Sequence, residues 1–375
     1  MKKLLFLTGT RADFGKLKPL IQTVDEDPNY DVTVFVTGMH TLSKYGYTVD
    51  EVKKANFKTA KIHIYMNQVL NEPMDITLAN TINGLSRYVH EEKPDMLIIH
   101  GDRVEALAGA IVGAMQNILV AHIEGGELSG TIDEMIRHST SKMAHLHFVA
   151  NVDAQNRLKQ LGEIDSSIFV IGSPDIDMMY SQSLPDLPKV QSHYDIPFNQ
   201  YGLVLFHPVT TEIDTLLTHA THLVEALITS NRNYVVIYPN NDLGSHFIFE
   251  AYQKLDNNPK FKIFPSIRFE YFLTLLKNAH YIIGNSSAGI REAPAFGVPA
   301  INIGTRQHNR FSHEAIINCN YERTSILEAF EKRDALRITQ SSHHFGDGKS
   351  AQRFKAILDS QTTWDTLRQK QFIDQ

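Results

Sequence analysis

Short apolar runs recur along this chain, each stopping at a glycine or a polar turn and each followed by a helical stretch. Residues 4–8 (LLFLT) meet Gly9, residues 96–100 (MLIIH) meet Gly101, and residues 117–123 (NILVAHI) break at Gly125-Gly126. Unbroken apolar strands alternating with helices are the pattern of a parallel sheet covered on both faces. Further strands are expected at 31–37, 60–65, 146–150 and 168–171, with an amphipathic helix at 74–92. Residues 106–123 form the longest uncharged stretch. Gln116 and Asn117 divide it into a helix and a strand, so no membrane span is predicted.

The alternation pauses at residues 173–200, where four prolines and many polar side chains read as a passage between domains. It then restarts, with strands expected at 202–206, 234–238, 261–264, 281–283 and 300–303. No sequence repeat accompanies this architectural one. A length of 375 residues also favours two domains over one core. The predicted fold class is α/β: two Rossmann-like, doubly wound domains, residues 1–173 and 174–349, facing each other across a cleft in the GT-B arrangement. A last helix at 350–358, in a C-terminal segment of about 350–375, is expected to complete the first domain.

The chain carries a net charge of −6 with a pI near 6.3, so it offers no basic footprint for nucleic acid or acidic lipid. The N-terminal MKKLLFLTG has too short an apolar run for a signal peptide. One cysteine, Cys319, excludes an internal disulfide and fits a reducing, cytoplasmic setting. It is read as buried and inert. No HExxH is present, and His138, His145 and His147 span a helix end and a strand, so no metal is expected. The turn at Gly9 lacks the terminal Lys-Ser/Thr of a Walker loop, which disfavours ATP hydrolysis.

Chemistry concentrates at residues 122–142, HIEGGELSGTIDEMIRHSTSK. Glu124 lies just past one strand's end and Asp133 in the next helix's first turn, while Asp102 follows the 96–100 strand. Three carboxylates at the ends of neighbouring α/β elements are what an open parallel sheet presents at its ligand crevice. Singly, each has a structural explanation; Asp133 could favour the helix dipole and pair with Arg137. In the second domain, residues 281–304 (YIIGNSSAGIREAPAFGVPAINIG) place Asn285, Ser286 and Ser287 in a turn before a helix. Unpaired N–H groups and two hydroxyls there suit a phosphate, and Glu292 could accept from ribose hydroxyls. Plain N-capping by serine is the alternative. His207 follows the second domain's first strand, where it would face the cleft as an acid or base, and Asn240 and Asn241 end the next strand.

These motifs resemble the UDP-N-acetylglucosamine 2-epimerase family, and specifically its hydrolysing branch, which includes the bacterial sialic-acid enzymes and the epimerase half of the animal bifunctional enzyme. The matching segments are TRAD (10–13), HGDR (100–103), HIEGGE (122–127), GTIDEMIRH (130–138), HPVTT (207–211), PNNDLGS (239–245), GNSSAGIRE (284–292) and GTRQHNR (304–310). The non-hydrolysing branch usually has HVEAGLR where this chain reads HIEGGEL. Animal members carry a serine where this chain has Gly15. The resemblance implies loss of UDP from carbon 1 as a proton leaves carbon 2, giving 2-acetamidoglucal, then addition of water to release N-acetylmannosamine. It implies Asp102, Glu124 and Asp133 as acid/base carboxylates and His207 as an acid near the leaving phosphate. Arg11, Asp13, Arg103, Asn240, Ser286, Ser287, Glu292 and Arg306 would hold the substrate or its UDP. No cofactor is implied; the partners are UDP-N-acetylglucosamine and UDP, with a homo-oligomer, dimer or tetramer, expected. The nearest alternative is the same chemistry on UDP-N,N′-diacetylbacillosamine. A GT-B glycosyltransferase or a UDP-sugar-binding protein would not need three clustered acids.

Overall fold

The computed structural model describes residues 1–182 and 184–371. Ser183, inside the expected passage, and residues 372–375, inside the expected C-terminal segment, lie outside the described residues. Two compact units emerge. The first comprises Met1–Glu127, Asp133–Ser181 and residues from His344 onward; the second comprises Leu128–Ile132 and Gln182–His343.

The first unit holds a seven-stranded sheet built from β1 (Lys2–Thr8), β2 (Tyr30–Val36), β3 (Lys61–Ile64), β4 (Met96–His100), β5 (Leu119–Ile123), β6 (Leu146–Val149) and β7 (Ile168–Val170). Their order is 3-2-1-4-5-6-7, and every pairing is parallel. Strand periodicity explains the unbroken apolar runs. Leu4 and Phe6 pack into one layer with Val34, Ile98 and Phe148, while Leu5 and Leu7 enter the opposite layer with Leu97, Ile99 and Val120. The helix Met74–Glu92 lies where the sequence places it, as does the division of 106–123 into a helix (Val104–Met115) and β5.

The second unit repeats the plan with β8 (Gly202–Leu205), β9 (Tyr234–Ile237), β10 (Phe261–Phe264), β11 (Tyr281–Gly284), β12 (Ala300–Ile303) and β13 (Ile316–Cys319). These six parallel strands run in the order 10-9-8-11-12-13. Each sheet therefore reverses its winding at one point, between β1 and β4 in the first unit and between β8 and β11 in the second. Ligands of open α/β sheets bind beyond the carboxyl ends of the strands at such reversals.

Residues 173–200 are not an irregular passage. They contain helices Pro174–Met179 and Leu187–Tyr194, and two of the four prolines open them, where a missing N–H costs nothing. The Pro174 helix, expected in the second domain, belongs to the first unit, because Asp177 caps the helix Ser350–Leu358 by accepting from the N–H groups of Ser350 and Ala351 at 2.9 and 2.7 Å. Phe354 of that helix packs on Phe6 and Phe148. The helix stops at Leu358, and a further turn, Gln361–Trp364, takes over its carbonyls: Trp364 Nε1 donates to Leu358 O at 2.8 Å. Beyond it Lys370 straps the chain down. Its ammonium donates to the carbonyls of Lys142 and Ala144 at 2.9 and 2.7 Å, and to the buried Glu163 carboxylate. Among the described residues no helix is long and apolar enough to cross a membrane. Cys319 is half-buried, and burial pushes its thiol up to about 12, which keeps it protonated and unreactive.

Candidate active site

At the first reversal point, the end of β1 is joined to the end of β4 by side chains. The helix Arg11–Asp25 is capped by Thr10, whose hydroxyl accepts from Asp13 N at 3.1 Å, while Asp13 Oδ2 accepts from Gly9 N at 2.9 Å. The turn at Gly9 is thus filled by Asp13, with Glu105 packed beneath, and does not present an open phosphate cradle. Asp13 Oδ1 lies 2.7 Å from Nδ1 of His100, the last residue of β4. The other ring nitrogen lies 3.1 Å from Glu124 Oε2. Burial opposes a charged ring, but the Glu124 and Asp13 carboxylates outweigh it and raise His100 to about 9. His100 is an imidazolium at neutral pH.

Glu124 is 2% exposed and adopts φ +63°, a conformation unusual for a residue with a side chain. The backbone around it is held from several directions. Its N–H donates to Phe148 O at 2.8 Å, and Arg137 donates to its carbonyl at 2.8 Å. Gly125 leaves room for the His122 ring and the Ser141 hydroxyl, which a Cβ would meet. His122 contacts Gly101 O through Nε2 at 2.8 Å and Ser141 Oγ through Nδ1 at 2.9 Å; burial pushes it down to about 3, so it is neutral. The Glu124 carboxylate has a donor on each oxygen. Ser173 Oγ donates to Oε1, and Lys16 Nζ donates to Oε2 at 3.3 Å while lying 3.0 Å from Asp175.

Asp102, in the turn after β4, receives a hydrogen bond from Arg137. The guanidinium that the sequence could pair with Asp133 thus reaches Asp102. Asp133 lies half-buried in the first turn of the helix Ile132–Met143. Arg11 is half-buried and paired with Glu51, and Arg103 Nε lies 3.5 Å from Glu105.

The second reversal point is built around Asn285, which is 0% exposed and follows β11. Its side-chain amide pairs with both backbone groups of His207, which follows β8. Its carbonyl accepts from Arg306 at 3.2 Å and from Gln307 at 3.0 Å. His207 Nδ1 accepts from Asn240 N at 3.1 Å, so in the neutral ring Nε2 carries the hydrogen and is the donor. The Asn240 side chain donates to Asp242. Beyond Asn285 the expected helix is a 3-10 turn, Ser287–Gly289, and then a one-turn helix, Glu292–Ala295. Ser286 caps that turn, accepting from Ala288 N at 3.3 Å. Arg291 lies between the two pieces, and left-handed Gly297 follows the second. A phosphate here would meet turn N–H groups and hydroxyls rather than a long helix dipole. Ser286 and Ser287 are partly exposed; Glu292 is buried.

A family model described as UDP-N-acetylglucosamine 2-epimerase matches residues 22–359 of the chain. This chain belongs to the UDP-N-acetylglucosamine 2-epimerase family. It is 48% identical over 377 residues to a UDP-N-acetylglucosamine 2-epimerase of Neisseria meningitidis serogroup B, covering 100% of this chain and 99% of the relative. A UDP-N,N′-diacetylbacillosamine 2-epimerase (hydrolyzing) of Legionella pneumophila is 32% identical over 96% of each chain. The fold is shared with the crystal structure of Methanocaldococcus jannaschii UDP-GlcNAc 2-epimerase in complex with UDP-GlcNAc and UDP. That likeness has a TM-score of 0.79 at 24% identity, covering 96% of this chain and 99% of the other.

In this 2-epimerase family member, sequence reasoning gave no role to Lys16, Ser173 or Asp175, and named His100 and Asn285 only as parts of motifs. Two carried a signal: Lys16 stands three residues after Asp13 on one helix face, and His100 ends a strand one turn before Asp102. Ser173 and Asp175 carried none, because the prolines around them read as a linker. Among the described residues no group of three or more His, Cys, Asp or Glu side chains could hold a metal ion.

Proposed function

We propose that this chain is a hydrolysing UDP-N-acetylglucosamine 2-epimerase, converting UDP-N-acetylglucosamine and water to N-acetylmannosamine and UDP. The observation that carries the reading is the carboxylate cluster at the first reversal point. Glu124, held between Lys16 and His100, follows β5, and Asp102 follows β4. Carbon 2 of the sugar is weakly acidic, so removing its proton needs a positioned carboxylate. As that C–H bond breaks, its electrons form the C1=C2 double bond, and the C1–O bond breaks with its pair on the departing UDP. His207, with hydrogen on Nε2, suits protonation of the departing phosphate, while Arg11, Asn240, Ser286, Ser287, Glu292 and Arg306 hold UDP and Asp13 and Arg103 the rest of the substrate. Water then adds its oxygen to carbon 1 and a proton reaches carbon 2 from the opposite face, giving free N-acetylmannosamine. Asp102, Glu124 and Asp133 share the two proton transfers.

The hydrolysing outcome is supported by the HIEGGEL wording and by the hydrolysing Legionella relative. N-acetylmannosamine made this way would feed sialic acid synthesis in the cytoplasm, from a homo-oligomeric enzyme. The Legionella likeness also favours a second reading, the same reaction on UDP-N,N′-diacetylbacillosamine. Proton NMR of the protein mixed with each UDP-sugar tests both. Free N-acetylmannosamine from UDP-N-acetylglucosamine is expected. Accumulation of a UDP-linked epimer would overturn the hydrolysing assignment, and turnover of the bacillosamine sugar alone would favour the second substrate.

A further inference from the structure

Ser173 and Asp175 flank Pro174, the opening residue of the helix Pro174–Met179, and both are 0% exposed. Each reaches the carboxylate cluster by a different route. Ser173 Oγ donates to Glu124 Oε1, and Asp175 Oδ2 lies 3.0 Å from Lys16 Nζ. The helix bearing them is fastened at both ends of its first turn. Ser173 N donates to Phe345 O at 2.7 Å, and Asp177 caps the helix Ser350–Leu358. An opening proline fixes φ, which sets where the flanking side chains leave the backbone.

The charges facing Glu124 come from four elements. Lys16 and Asp13 come from the Arg11–Asp25 helix, and His100 from the end of β4, with neutral His122 on the neighbouring strand. Asp175 acts through Lys16, and Arg137 sits on the Glu124 carbonyl and on Asp102. The potentials of Lys16 and Asp175 add at Glu124 with opposite signs, so the Asp175 carboxylate offsets part of what the Lys16 ammonium exerts there.

We propose that Ser173 and Asp175 are positioning residues for the reaction: Asp175 holds the Lys16 ammonium beside Glu124 and offsets part of its charge there, and Ser173 fixes the rotation of the Glu124 carboxylate. The proposal rests on the reading of Glu124 as an acid/base group. Both are 0% exposed, so each acts through Glu124 or Lys16.

The test combines pH profiles of turnover with NMR titration of ¹³C-labelled histidines in wild-type, Asp175→Asn, Ser173→Ala and Ser173→Thr proteins. Removing the Asp175 charge leaves Lys16 less opposed. The acid limb of kcat and the His100 titration midpoint should therefore both move down by roughly one pH unit. Turnover should fall about tenfold with KM unchanged. Ser173→Ala should lower kcat about tenfold, and Ser173→Thr should restore it. A merely structural role would lower the melting temperature and move neither the limb nor the midpoint, which overturns the proposal. If Asp175→Asn does not fold, the serine pair decides: unequal kcat values support the proposal and equal ones overturn it. If wild-type protein releases no N-acetylmannosamine, the functional reading fails, while the histidine midpoint still decides the role of Asp175.

Discussion

Asn285 pairs with the backbone of His207 through both ends of its side-chain amide: Oδ1 accepts from His207 N at 2.7 Å, and Nδ2 donates to His207 O at 2.9 Å. One buried side chain thus acts as an extra rung between the ends of β8 and β11. Asn285→Ala leaves both backbone groups of His207 without this partner, at about 1–3 kcal/mol for each buried group left unmade. Urea unfolding should show a loss of about 2–4 kcal/mol. A loss below about 0.5 kcal/mol would mean that the β8 loop is held by other contacts.

Ser287 opens the 3-10 turn after β11. If its hydroxyl binds a phosphate oxygen of UDP, the charge-assisted bond is worth about 1.5–3 kcal/mol. Ser287→Ala should then weaken UDP binding roughly ten- to a hundredfold with the fold intact. Unchanged affinity by calorimetry would leave the turn with a structural role alone.

Amide replacements test the carboxylates. General acid–base groups contribute about 10²–10⁴-fold to rate, so Asp102→Asn, Glu124→Gln and Asp133→Asn should each lower turnover by that order while UDP still binds. A variant impaired mainly in elimination should still hydrate supplied 2-acetamidoglucal, and one impaired mainly in hydration should release that glycal from the UDP-sugar. Near wild-type turnover in all three would move the proton chemistry elsewhere.

Two neighbouring histidines titrate in opposite senses. His122 is pushed from 6.5 to about 3 by burial. As pH falls below 6.5, the unfolded chain takes up a proton that the folded one refuses, so stability declines from pH 6.5 toward 3 by up to about 1.4 kcal/mol per unit. Buried His40, pushed to about 4, acts in the same direction. His100, raised to about 9, contributes stability that is fully present below 6.5 and is lost as pH rises through 9. Urea unfolding at several pH values should show His122→Asn flattening the acid side and His100→Asn the alkaline side. Identical slopes in both variants and wild type would contradict these assignments.

Legibility followed periodicity and chemistry unevenly. Strands 96–100, 261–264 and 300–303 and helices 74–92 and 350–358 have the ends that their sequences predict, because each is a sharp apolar or amphipathic run bounded by turn residues. β13 and the helix Arg323–Ala335 were not expected. β13 is an edge strand whose residues are only partly covered, so IINC shows no marked apolar block. The carboxylates were visible because motif and strand end coincide at Asp102 and Glu124. The supports of Glu124 were not, since Ser173 and Asp175 act by reaching neighbours distant in sequence, as Asn285 does for His207. The turn at Gly9 is closed by Asp13 because the side chain four residues on folds back to its N–H, a contact that the spacing alone did not announce.

Phe354 enters the core beside Phe6 and Phe148, and Lys370 caps the end of the helix Ile132–Met143 with a side chain 228 positions away. During synthesis these pieces arrive last. The first unit is left at Ser181 and resumed at His344, so its sheet, complete by Val170, waits for its covering helix Ser350–Leu358 until the second unit's segment Gln182–His343 has been translated. At about 5–20 residues per second that delay is on the order of 10–30 seconds. Throughout it Phe6 and Phe148 lack the helix that covers them. The second unit, whose longer segment Gln182–His343 emerges without such a gap, can close its own core before the first is finished. The N-terminal half of this chain is thus the later one to mature, and the ribosome-bound stage is when its apolar face is open to chaperones or to misassembly.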